Sequence, residues 1–147
     1  MESKTASTGI IFVRNSDVRY DTRMRKAINV AIDCGLTPLV LGWIRDGSER
    51  PSEGQEVNGR PFSAKYFTLG ARFGIGLNNI FRLIAFNLWL LKVLVTTRKS
   101  YEVIYVCDLD VSFPALFLKF FFRKKIIYDI FDFYSHAHPL PQGIKKY

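Results

Sequence analysis

The stretch "GIIFVRNSDVRYDTRMRKAINVAIDCGLTPLVLGWI", Gly9 to Ile44, decides the fold. Its first five residues, Gly9 to Val13, form an apolar run rich in β-branched side chains, the pattern of a buried strand. A polar loop follows. Asp21 is then placed to cap a helix over 22–33, in which Met24, Ala27, Ile28 and Ala31 recur at i, i+3, i+4 and i+7 and so share one face. Gly35 suits a left-handed helix terminator. Thr37 to Ile44 reads as a second apolar strand, with Pro38 near its start, where a missing N–H is tolerated. Two strands apolar on both faces, joined by an amphipathic helix, point to parallel pairing under helical cover.

The same reading extends outward. Residues 45–61 are polar and rich in turn formers, and are expected to be loop. Phe62 to Leu69 reads as a third strand, and "GARFGIG" as a glycine-rich connection. A long helix is predicted from Leu77 to Thr97, a fourth strand over Tyr101 to Val106, and a helix from Ser112 with Pro114 in its first turn. "KKIIYDIF" is a fifth strand. The order β-α-β-β-α-β-α-β predicts an α/β domain, a Rossmann-like parallel sheet of about five strands with helices on both faces. Residues 1–8 read as a flexible tail, 9–135 as the domain, and 136–147 as a C-terminal extension or a truncated continuation.

Composition narrows the partners. The chain has 147 residues, 48% of them hydrophobic, enough to bury a core. A formal charge of +8 with 13 Phe and 7 Tyr suits phosphorylated ligands or an anionic membrane surface. Nucleic acid has only the charge in its favour, with no recognition motif, so no nucleic-acid partner is expected. Cys34 and Cys107 lie far apart among apolar neighbours and read as buried free thiols in a reducing, cytoplasmic compartment. The polar N-terminus argues against a signal peptide. His136 and His138 form an H-x-H, too few ligands for zinc, so no metal is expected.

Nucleotide motifs are missing. The first strand is followed by "RNSDVRYD" rather than G-x-G-x-x-G, and no P-loop occurs. With strand order 3-2-1-4-5, ligands bind beyond the carboxyl ends of strands one and four. The loops there gather Asp17, Asp21, Asp108, Asp110, Asp129 and Asp132 on one rim with Arg14, Asn15, Arg19 and Arg23. For "DVRYDTRMR" two readings stand: a capped helix start with a basic solvated face, or arginines gripping a phosphate or sugar hydroxyl. Asp129 reads equally as a structural turn residue.

The helix 77–97 is apolar nearly all round, which means deep burial or lipid contact, and its charges Arg82 and Lys92 argue against a membrane span. The segment "FPALFLKFFFRKK" joins aromatics to cations. Phe117, Lys119, Phe121, Phe122, Arg123, Lys124 and Lys125 are accordingly candidates for membrane contact at the inner face. The competing account is a core helix with a basic end.

Three segments resemble family 4-type glycosyltransferases. The stretch "IIFVRNSDVRYDTRMRKAINVAIDCGLTPLVLGW" is similar to their opening strand, D-x-R loop and R-x-x-K-A helix; "YEVIYVCDLD" resembles their fourth strand and "KKIIYDIFDFYS" their fifth. The sequence departs from that pattern at three places. The glycine-rich first loop is replaced, Cys107 stands where many relatives carry His, and Ile130-Phe131-Asp132 replaces x-His-Glu. The resemblance implies one half of a GT-B fold. This acceptor-binding domain would bind a glycan or lipid-linked acceptor, with no cofactor of its own. A nucleotide-sugar donor would bind a C-terminal domain or separate subunit. Cell-surface polysaccharide biosynthesis at the inner face of the membrane is the implied setting. Asp17, Asp108 and Asp129 are the catalytic candidates. Arg14, Asn15, Arg19, Asp21, Arg23, Asp110 and Asp132 are the acceptor-binding candidates. A non-catalytic membrane-recruitment subunit of a split glycosyltransferase is the alternative.

Overall fold

A computed structural model describes residues 8–45, 54–70 and 78–130. The tail 1–7, the glycine-rich connection beyond Gly70, Asp132, the two histidines and the extension 136–147 lie outside the described residues. The elements run β1 (Gly9–Val13), α1 (Thr22–Asp33), β2 (Thr37–Ile44), β3 (Gly54–Val57), β4 (Arg60–Thr68), α2 (Asn78–Thr96), β5 (Val103–Cys107), α3 (Ser112–Phe122) and β6 (Lys125–Asp129).

They build one six-stranded sheet in the order β3-β4-β2-β1-β5-β6. Every pairing is parallel except β3 with β4. This is a Rossmann-like α/β fold. Its five parallel strands follow the order 3-2-1-4-5, the order on which the expected rim depends, with the reversal falling between β1 and β5.

β3 corrects the expected loop. Gly54–Val57 pairs antiparallel with β4 across the dipeptide Asn58-Gly59. Both turn residues have positive φ, 52° and 73°. That is the geometry a two-residue hairpin of matching twist requires, and Asn-Gly is its strongest sequence signal. The strand escapes a hydrophobicity scan because it is short and, of its four residues, only Val57 is buried.

Alternation along the strands divides the core into two layers. Ile10 and Phe12 of β1 face α1, where Met24, Ile28 and Ala31 cover them together with Val40 and Ala64. Ile11 and Val13 face the other way, with Leu41, Trp43, Ile104 and Val106, and are covered by α2 and α3. Within α2 the covering stripe is Phe86, Leu90 and Leu94. The remaining faces of α2 are not deeply buried, so the helix is one-sided in its packing although apolar nearly all round.

One expected surface cation is turned inward. Lys124 is buried, donates to the Tyr101 carbonyl at 2.5 Å and pairs with Glu102 at 3.2 Å. It also lies over the Tyr101 ring, 5.0 Å from its centroid. The α3–β6 turn drives it there: Arg123, in the left-handed region at φ 54°, reverses the chain and points the next residue back at β5. Phe117 likewise packs partly against the core. Lys119, Phe121, Phe122, Arg123 and Lys125 remain exposed.

Candidate functional site

Strand order brings the loops after β1, β5 and β6 together at one rim. Arg14, the first residue past β1, is its organiser. Its Nε lies 3.1 Å from Asp21 Oδ2, and its guanidinium also pairs with Asp108 just past β5. Asn15 donates to the Asp110 carboxylate. Arg23, on the first turn of α1, pairs at 2.6 Å with Asp129 at the end of β6. Asp17 and Arg19 make a two-point pair within the first loop, with a shortest contact of 2.6 Å. All the described rim candidates therefore meet, and each is already joined to another.

The pairs differ in burial, and burial divides their roles. Arg14 and Asp108 keep only 15% and 7% of their side-chain surface. Asp21 also caps α1 by accepting from the Met24 N–H at 2.9 Å. These three form a scaffold. Asp108 has φ 69° and ψ 158°, a region that glycine otherwise occupies. Holding a non-glycine residue there costs about 1–3 kcal/mol, a strain found mostly at functional sites. The Arg14 pair and a bond from the Asp108 N–H to the Asp129 carbonyl, 3.2 Å, keep it in place.

Arg23, Arg19, Asp17 and Tyr20 stand further out. Arg23 retains 54% of its side-chain surface, and Tyr20 is 80% exposed. Asp17, Tyr20 and Arg23 line an open depression of about 470 Å³ together with Arg14, Ser16, Asp21 and Thr22. Guanidinium donors, carboxylate acceptors and an aromatic face suit a ligand carrying hydroxyls or phosphate. Among the described residues no group of three or more His, Cys, Asp or Glu side chains is arranged around a common point for a metal.

The structure adds residues that the sequence reading did not single out. Tyr105 of β5 donates its hydroxyl to Asp129 Oδ2. Burial, and then that bond, push its phenol upward, so it stays a donor. With Arg23 on the other oxygen, both Asp129 oxygens are held. Asp129 is thus an anchor for Arg23 more than a free base. Tyr66 of β4 lies beneath the first loop, pushed up to about 12 by burial and by Asp17. Its hydroxyl has no hydrogen-bond partner among the described residues. The ring presses on Gly42, where an added Cβ would come within 2.7 Å. A period-two reading of β5 puts Tyr105 on the face of Cys107, but pairing with Asp129 depends on the neighbouring strand.

Cys107 ends β5 fully buried, and burial pushes its thiol from 9.0 up to about 12. A raised thiol favours the neutral form in the fold. Its contribution is complete below the unfolded value and is lost as pH climbs from about 9 towards 12. Contrary to the expected burial, Cys34 is exposed. A maleimide reagent at about pH 8, below the ordinary thiol value, should modify Cys34 alone in the folded chain. Both thiols should react in urea. Two labels on the folded protein, counted by mass spectrometry, would contradict this burial.

Compared with known proteins, the chain matches no family model and no curated protein. What the coordinates define is a class: a Rossmann-like α/β protein with an ion-paired rim at its topological switch point, where such sheets bind ligands.

Proposed function

We propose that this chain is the acceptor-side domain of a GT-B glycosyltransferase, receiving a glycan or lipid-linked hydroxyl at the rim. The observation that carries the reading is Arg14 joined to Asp21 and Asp108. That contact ties the first resembling segment to the second, at the switch point, and Arg23 with Asp129 ties the first to the third. In this reading the buried scaffold fixes the loops. Arg19 and Arg23 grip hydroxyl or phosphate oxygens. Asp17, the most open of the catalytic candidates with 20% of its side-chain surface free, orients the acceptor hydroxyl, and acts as its base once the ligand draws Arg19 off its two oxygens. The donor sugar-nucleotide binds elsewhere, on a second domain or subunit, since the first loop lacks a phosphate-cradling glycine motif.

Titration calorimetry tests this. Mono- and disaccharides or a short polyprenyl phosphosugar should bind the chain. Binding should weaken about tenfold on Arg23→Ala, the loss of one charged hydrogen bond. UDP-glucose and GDP-mannose should not bind. Sugar transfer by the chain alone, or tight binding of either nucleotide-sugar, would overturn the proposal. The alternative of a recruitment subunit without an acceptor site is favoured if no saccharide binds while membrane docking survives.

A further inference from the structure

The outer face of the α2–α3 layer is apolar and uncovered among the described residues. On α2, Phe81 is 77% and Leu88 61% exposed; on α3, Phe113 is 71% and Phe120 75% exposed. Phe81, Ile84 and Leu88 are spaced i, i+3, i+7, as are Phe113, Leu116 and Phe120, so each helix presents a continuous stripe. Between the helices runs a groove of about 310 Å³ lined by Ile84, Leu88, Leu91, Phe113 and Pro114. Exposed apolar surface on this scale marks an interaction site.

Charge identifies the occupant. Neither α2 nor α3 contains a single acidic residue. Arg82, Lys92 and Lys119 lie on the helices, with Arg98, Lys99 and Arg123 at their ends. Lys92 continues the Phe81–Leu88 stripe, and Arg98 lies over the Phe122 ring at 5.5 Å. Phenylalanines among long cations, on two helices that carry no carboxylate of their own, are the chemistry of an anionic bilayer interface, and Asp110 is the acidic residue lining the groove. By length and a mean hydropathy of 1.5, residues Asn79–Thr96 are also sufficient to cross a membrane. Packing argues against it. Phe86, Leu90 and Leu94 are sealed on the sheet, and a spanning α2 would strip Trp43 and Leu41 bare.

We infer that the chain docks on an anionic lipid surface through this α2–α3 face, with α2 lying in the interface rather than across it. Asp110 joins the two functional surfaces. It accepts from Asn15 in the rim and also lines the groove. A bilayer on this face therefore lies beside the rim, where a lipid-borne hydroxyl is within reach. The inference stands on the surface alone, not on the glycosyl-transfer reading.

Co-sedimentation of the full chain with vesicles tests it. The chain should pellet with equimolar phosphatidylcholine and phosphatidylglycerol. Affinity for pure phosphatidylcholine should be at least about tenfold weaker, given several cations near the surface. Binding should also weaken with added salt. The double variants Phe113→Ser with Phe120→Ser, and Lys92→Glu with Lys119→Glu, should each reduce binding about tenfold or more. All four side chains are exposed, so circular dichroism should be unchanged. Equal binding to neutral vesicles, or undiminished binding by both variants, overturns the inference. So does a dimer in solution that the phenylalanine variant dissolves while vesicles go unbound, which assigns the face to a second copy.

Discussion

Arg14→Met should lower the stability of the fold by about 3–5 kcal/mol, the usual effect of leaving a buried charge without its partner. Asp108 is only 6% exposed and sits in a backbone conformation that its own side chain does not favour. Arg14 is the cation that offsets both burdens, and it holds Asp21 as well. Methionine keeps much of the length and none of the charge. Urea denaturation followed by circular dichroism measures the loss. Arg23→Met removes a pair whose arginine is more than half exposed, so it should cost less than about 1 kcal/mol. Similar losses for the two variants would refute the division of the rim into scaffold and open edge. Adding Asp108→Asn to Arg14→Met should recover part of the loss, because the uncompensated charge goes with it.

Phe86→Ala should cost a comparable 3–5 kcal/mol, roughly the penalty for emptying a buried aromatic site. Phe86 is fully buried. Its ring stacks at 5.0 Å on Trp43 of β2 and at 5.9 Å on Trp89 of its own helix, with Phe67 of β4 at 5.6 Å. This cluster fastens α2 to the sheet. The chain has two tryptophans and both are in it, so intrinsic fluorescence reports directly on the lesion. For a chain of this length the midpoint of thermal unfolding should fall by roughly 10 °C. Phe81→Ala, five residues earlier and exposed, should change stability by no more than about 0.5 kcal/mol. A large effect at Phe81 would mean that the outer face of α2 is covered in solution.

Much of the architecture is legible in the order of residues. The helix predicted over 22–33 is α1, Thr22–Asp33, because its cap, its apolar face and its terminating glycine all agree. The five parallel strands emerge where apolar runs alternate with helices, and the rim follows from their order. β3 is announced only by Asn58-Gly59, because a short polar edge strand carries little of the hydrophobicity that marks the other strands. In the sequence Lys124 is indistinguishable from its neighbours Arg123 and Lys125. A three-cation run carries no sign that a left-handed Arg123 will turn the middle residue towards Tyr101.

The candidate site shows the same division. Residue types and topology together determine that carboxylates and arginines share one rim, since every loop at the carboxyl end of a parallel sheet must emerge on the same side. Which carboxylate meets which arginine is not a property of the chain order. Arg14 reaches Asp108 across 94 positions and Arg23 reaches Asp129 across 106. Those partners are chosen by strand register, which sets neighbours to within one residue. The tertiary structure alone decides that Arg14 is spent on the scaffold while Arg23 faces outward, and that α2 gives one stripe to the sheet and leaves another bare. Periodicity tells which residues share a face. Only packing against the rest of the molecule decides which face is covered.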